Sequence, residues 1–135
     1  MMKTEEMEKK FIAAFIRRSR KERLTYELSH PEKRYRGLER FCHTAEELLD
    51  PAGIILKGTG FTHMQLFAEF MKEHGKDECL IISPDPLLDQ CTASLSECFC
   101  RVSMSADASV IIADTFALTT EEAGKHGTMQ YLSVL

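Results

Sequence analysis

The sequence predicts a single domain of the α/β class, with α+β as the alternative, and three observations point there. Short unbroken apolar runs rich in β-branched residues stand at Ile54–Leu56, Leu80–Ile82 and Val110–Ile112, the pattern of strands covered on both faces. The stretch between the first two has helical spacing, so residues 53–83 read as a strand–helix–strand (βαβ) unit with parallel strands and a right-handed crossover. The first fifty residues are helical in character. At 135 residues and 15.4 kDa the chain has room for one core, not two. The expected organisation is a helical part over 1–50 packed on an α/β part over 51–135, with a mixed sheet of about four to six strands.

Taken in order, Met7, Phe11, Ala14 and Phe15 form one stripe, broadened by Ile12 and Ile16 and resumed by Leu24 and Leu28, so one helix is expected from Thr4 to about Leu28. Pro31 must break or restart it. Ser29 with Glu32 has capping-box spacing for a second helix, whose apolar positions are Tyr35, Leu38, Phe41 and Cys42. Thr44 with Glu47 repeats the signature for a short helical turn, stopped at Asp50-Pro51. Thr62 and Gln65 then cap the helix of the βαβ unit. Met64, Phe67, Ala68 and Met71 make its buried stripe, and Gly75 ends it at positive φ.

Beyond the second strand, Asp85-Pro86 is expected to open a helix over Leu87–Glu97. The alternation of Cys98, Cys100, Val102 and Met104 with Phe99, Arg101 and Ser103 reads as a strand. Val110–Ile112 is the next strand, Phe116, Leu118 and Thr120 alternate again, residues 124–127 make a turn, and Met129–Leu135 is the closing strand.

Charged residues make up 28% and hydrophobic residues 44% of the chain, ordinary globular proportions that argue against disorder. No apolar run approaches the roughly 20 residues that cross a bilayer. Residues 1–10 lack the pattern of a signal peptide. A cytoplasmic protein without membrane contact is expected. The five cysteines, Cys42, Cys79, Cys91, Cys98 and Cys100, are odd in number and form no Cys-x-x-Cys pair, so reduced structural thiols are expected. Neither a metal nor a cofactor is expected.

Polar groups gather where strand ends meet turns: Lys57-Gly58-Thr59-Gly60 with Thr62 after the first strand, Ser83 and Asp85 after the second, Asp114 after Val110–Ile112. In open parallel sheets ligands sit beyond the carboxyl ends of the strands. Lys57, Gly58, Thr59, Gly60, Thr62, Asp85 and Asp114 are therefore the candidate ligand-binding residues, suited to a small anion through Lys57 and the helix-start amides at Thr62. The same residues are also what tight turns and caps demand. Gly58-Thr59-Gly60 matches only the first half of the dinucleotide-binding fingerprint, with His63 where its third glycine belongs, and no Walker sequence is present. Cys42-His43 is no nucleophile–base pair, because neighbours on a helix point about 100° apart. Cys42 reads as core and His43 as surface. No catalytic residue is assigned.

Residues 1–40 hold 12 Lys+Arg against 7 Asp+Glu, a balance of +5 that leaves −9 for the remainder of a net −4. The basic run of Arg17, Arg18, Arg20, Lys21 and Arg23 could meet nucleic-acid phosphates, but aromatic interleaving is poor and no helix-turn-helix or RNA-binding signature accompanies it. Residues 106–115, Ala-Asp-Ala-Ser-Val-Ile-Ile-Ala-Asp-Thr, are similar to a short segment of lactate-utilisation proteins of the LutC type. The segment lacks the glycine expected after the threonine, and no activity is carried over from it.

The leading functional expectation is a non-catalytic binding, regulatory or protein-interaction module, with a small anionic ligand, a protein partner or a second copy of the chain as its partner. The alternative is a small enzyme or a phosphate- or nucleotide-binding protein working at the strand-end loops. The third is a nucleic-acid binder acting through the basic helix.

Overall fold

The structure, a computed structural model, describes residues 3–60, 64–122 and 127–135. Helices α1 (Thr4–Phe15), α2 (Arg18–Ser29) and α3 (Pro31–Leu48) precede a 3₁₀ turn at Pro51–Gly53. Then follow β1 (Ile54–Gly58), α4 (Gln65–His74), β2 (Glu78–Ile82), β3 (Thr92–Ser94), α5 (Leu95–Ser103), β4 (Val110–Ile112), β5 (Phe116–Glu122) and β6 (Thr128–Val134). The six strands form one sheet in the order β1-β6-β5-β4-β2-β3.

Every hydrogen-bonded pair in that sheet is antiparallel, which corrects the mixed sheet expected from the sequence and makes the fold α+β in kind. β1 and β2 do run in the same direction, with α4 between them in sequence, but β6, β5 and β4 lie between them in space. Two parallel strands need not be neighbours, and a hydrophobic run does not say which partner will pair with it. Short turns and hairpins favour antiparallel pairing of the later strands. β4 lies inside the six-stranded sheet, between β5 and β2, and its three residues are all buried.

Helices cover both faces. Phe11, Phe15, Leu24, Leu28, Leu38 and Phe41 of α1–α3 pack with Leu80, Ile82, Val110, Ile112 and Tyr131 on one face. Phe67 of α4 and Leu95 and Cys98 of α5 pack with Cys79, Ile81, Ile111, Phe116, Leu118 and Leu132 on the other. The helical amino-terminal part therefore docks on the sheet as expected, and α4–α5 close its opposite face. No helix among the described residues is long and apolar enough to cross a membrane.

Several local expectations are revised. The helix expected over 4–28 is two, because Ile16 is extended (φ −97°, ψ 142°) and bridges Leu49. Arg17 N donates to Leu48 O at 2.8 Å and Asp50 N to Phe15 O at 2.8 Å, so backbone pairing across the molecule overrides the helical pattern. Neither expected capping box at Ser29 or Thr44 forms. The Ser29 hydroxyl donates instead to Tyr26 O at 3.1 Å. Thr44 sits at a kink inside α3 (φ −138°, ψ 37°), its hydroxyl bonded back to Arg40 O at 2.8 Å, and back-bonding of that kind bends helices. The expected second helix and short turn are thus one kinked helix.

Residues 87–94 are not helical, the helix beginning only at Leu95, and 98–104 are not a strand. Asp85 caps only a turn, ended by Gln90 at φ 66°. Ser94 then caps α5 by accepting from Glu97 N at 3.2 Å. Leu95, Cys98 and Val102 supply the helical spacing that competes with the alternation over the same residues. On α4, Phe67 is buried while Ala68 and Leu66 are exposed. Gly75 ends α4 at φ −57°, not at positive φ. Glycine is needed there for space: a Cβ would lie 2.6 Å from Met71 O and 2.7 Å from Ser96 Oγ. The cap expected at Thr62 and most of the turn at 124–127 lie outside the described residues.

Candidate functional site

Antiparallel pairing decides which sequence-selected residues meet. β1, β2 and β5 end at one rim of the sheet, where β4 and β6 begin: Gly58 lies opposite Gln130, Glu122 opposite Thr128, and Ile82 opposite Val110. The Lys57–Gly60 loop and the Ser83–Asp85 turn therefore share a rim. Four strand spacings separate them, about 19 Å. Asp114 follows the carboxyl end of β4 and so lies at the opposite rim, beside Glu78, Met7 and Lys10, where it pairs with Lys10. It does not join Asp85. Thr62 lies outside the described residues.

Each of the charged groups selected from the sequence is engaged within the molecule. Lys57 pairs with Glu46 of α3, and its ammonium lies 5.9 Å from the centre of the Tyr131 ring. Gly60 takes φ 64°, the left-handed conformation that glycine tolerates. Asp85 accepts from Leu87 N at 2.9 Å and from the Ser105 hydroxyl at 3.2 Å. Beneath it Ser109 donates to Ser83 at 2.8 Å, and the Asp85 amide donates to Ser83 Oγ at 3.0 Å. These bonds fasten the turn after β2 to the segment before β4. Glu121, buried on β5, accepts from the Tyr131 hydroxyl at 2.7 Å and from Glu46 N at 3.2 Å. Burial and then that bond raise the Tyr131 pKa above the ordinary phenol value.

A cavity of about 270 Å³ opens at this rim between α5, the sheet and the segment before β4. Phe99, Val102, Ile111 and Leu118 give it apolar walls, and the larger, polar part of its lining comes from Asp107 and Glu122 with Ser103, Ser105, Thr120, Thr128 and Gln130. No lysine or arginine is among its described lining residues. Two other hollows differ. One of about 220 Å³ holds the Lys10–Asp114 pair, and one of about 400 Å³ is lined by Glu8 and Arg34, which bind each other.

Across Ala108 and Glu122 from the cavity, α3 presents Glu39, Cys42 and His43, whose donor atoms all lie within 4.8 Å of one another. Cys42 and His43 as adjacent residues do not suggest a site, but Glu39 adds a third donor one turn earlier. Glu39-x-x-Cys42-His43 places three donors at i, i+3 and i+4, one face of a helix, and that spacing was the available signal. His43 Nε2 is 3.2 Å from Glu39 Oε2, and His43 Nδ1 is 3.8 Å from Glu122 Oε2. Cys42 is buried, and burial chiefly pushes its thiol up to about 11.

Three of the basic-run residues have internal partners. Arg17 donates to Glu46 O at 3.0 Å, Lys21 to Ala13 O at 2.8 Å, and Arg23 pairs with Glu27 at 3.9 Å. In comparisons with known proteins, no family model, curated sequence or solved structure matches the chain.

Proposed function

We propose that the chain acts by binding, as a module with no covalent chemistry of its own, and that its ligand is a small molecule with a cationic head and an apolar body. The observation that carries this reading is the cavity at the rim, where Asp107 and Glu122 share a largely polar lining with Ser105, Thr120 and Gln130, and Phe99, Val102, Ile111 and Leu118 add an apolar wall. An ammonium group placed between two carboxylates gains charge-assisted hydrogen bonds, while the body of the ligand buries apolar surface. A carboxylate or phosphate ligand would meet repulsion at the same place. The thiols support a non-nucleophilic role: burial pushes Cys42 and Cys98 up to about 11 and Cys79 up to about 12, so all three stay protonated at neutral pH.

Calorimetric titration with alkyl amines, amino alcohols and the matching carboxylates tests the reading. Amines should bind, carboxylates of equal length should not, and Glu122→Gln should weaken the amines at least several-fold. Val102→Trp, which fills the chamber, should abolish binding while leaving the fold intact. If no amine binds below about 10 mM, an affinity worth under 3 kcal/mol, the reading is wrong.

A further inference from the structure

A cluster of donor groups lies on the other side of Glu122. Glu39, Cys42 and His43 lie on one face of α3 with their donor atoms within 4.8 Å of one another. In a tetrahedral zinc site, with Zn–S about 2.3 Å and Zn–N about 2.0 Å, donors stand about 3.5 Å apart. The required closure of about 1 Å falls on the side chains able to make it. Cys42 is fixed in the core, whereas the His43 side chain is 57% exposed and Glu39 lies at the surface edge, so both can turn toward the sulfur.

We propose that Glu39, Cys42 and His43 bind one divalent ion of the zinc class, with the Cys42 thiol releasing its proton to solvent and binding as the anchoring thiolate, and Glu122 orienting the imidazole. The donor set selects the ion: thiolate and imidazole suit zinc or cobalt, whereas magnesium and calcium require oxygen donors. The ring geometry agrees. His43 presents Nε2 toward Glu39 at 3.2 Å, leaving Nδ1 toward Glu122 at 3.8 Å. An imidazole that ligates through one nitrogen and donates to a carboxylate through the other has its tautomer and orientation held. Three protein donors leave one coordination position for water or an exogenous ligand. Because the three donors are brought together only in the folded chain, the ion should also stabilise the fold by mass action.

The experiment uses tag-free full-length protein carrying Cys91→Ser and Cys100→Ser, which removes the two thiols that are not buried. Titration with cobalt(II) should give one ion per chain and a sulfur-to-cobalt charge-transfer band, displaced by zinc and untouched by excess magnesium. Cys42→Ala should abolish the band and weaken zinc binding by about 100-fold, and His43→Gln and Glu39→Gln should each weaken it by about 10-fold or more. Absence of the band, or a folded Cys42→Ala protein that keeps its affinity, overturns the site. Should Cys42→Ala not fold, the exposed His43→Gln variant decides, since unchanged zinc affinity there overturns it equally. Cys42 and His43 do not line the amine chamber, so failure here leaves that reading standing and failure there leaves this one.

Discussion

Arg34 on α3 and Asp89, which lies between β2 and β3, meet in a two-point fork. Nε donates to Oδ2 at 2.7 Å and Nη2 to Oδ1 at 2.9 Å. The same guanidinium donates to both carboxylate oxygens of Glu8 on α1 at 2.8 Å and to Leu28 O at 3.1 Å. Arg34, Glu8 and Asp89 are only 13%, 8% and 17% exposed. Burial works against the charge, but the bonds to Asp89 and Glu8 more than offset it and raise the Arg34 pKa above its ordinary value. Asp89 also accepts from Ser83 N at 3.1 Å, so one cation ties the helical layer to the turn after β2.

Removing that cation leaves two largely buried carboxylates without a counter-charge. Arg34→Met should cost about 3–5 kcal/mol, measured by urea denaturation. Arg34→Lys keeps the charge but lacks the planar fork, so it should recover only part of the loss. A full recovery by lysine would show that charge alone matters.

Phe15→Ala should cost roughly 3–5 kcal/mol, because the ring is buried against Phe11 at a centroid distance of 6.2 Å. Arg20→Ala, at an exposed position, should change stability by less than about 0.5 kcal/mol. Equal effects at the two positions would contradict apolar docking of the helical layer.

The thiols set a pH window. Cys79 rises from 9.0 to about 12, and Cys98 from 9.0 to about 11. Because these folded-state values lie above the unfolded ones, unfolding at alkaline pH releases protons. The stabilisation is complete below about pH 9 and is lost progressively between about 9 and 12. Urea midpoints should therefore fall across that window, and Cys79→Ala should flatten the fall. Thiol labelling gives a second check: Cys100 should react first, Cys91 more slowly, and Cys42, Cys79 and Cys98 only on unfolding.

Lys57 is held by Glu46, which competes with any anion at the Lys57–Gly60 loop. Phosphate binding should be millimolar or weaker, worth about 4 kcal/mol at most. Glu46→Gln should tighten it a few-fold, and Lys57→Ala should remove it. Chemical-shift titration would expose the opposite outcome, an affinity indifferent to both substitutions.

What the sequence revealed, and what it hid, follows from the range of each interaction. Ile54–Leu56, Leu80–Ile82 and Val110–Ile112 were readable as strands because continuous apolar character is local. The placement of β6, β5 and β4 between β1 and β2 was not, since it depends on pairing between distant segments. Residues 98–104 satisfy both a two-residue and a helical period, and only the Ser94–Glu97 cap favoured the helix. Ile16 broke a good helical pattern to bridge Leu49. At the site, Asp85 follows β2 and Lys57 still lies within β1, opposite Tyr131, while β4 runs opposite to β2 and carries Asp114 to the other rim. Glu39, Cys42 and His43 were visible as a helical triplet all along.

The position of β6 has a consequence for how the chain is made. Ile54 finds its sheet partner in Ser133, and among the described residues β1 pairs with no other strand. As the polypeptide leaves the ribosome, β1 is therefore exposed early and stays unpaired while β2, β3, β4 and β5 are synthesised. Those later strands can assemble with one another, but β1 cannot join until β6 emerges. Closure of such a distant pair is slow, and an open apolar strand is a template for association with other chains. Lys57 on β1 supplies a charge that discourages such pairing during this wait. Nascent chains stalled before β6 should be the species that recruits chaperones.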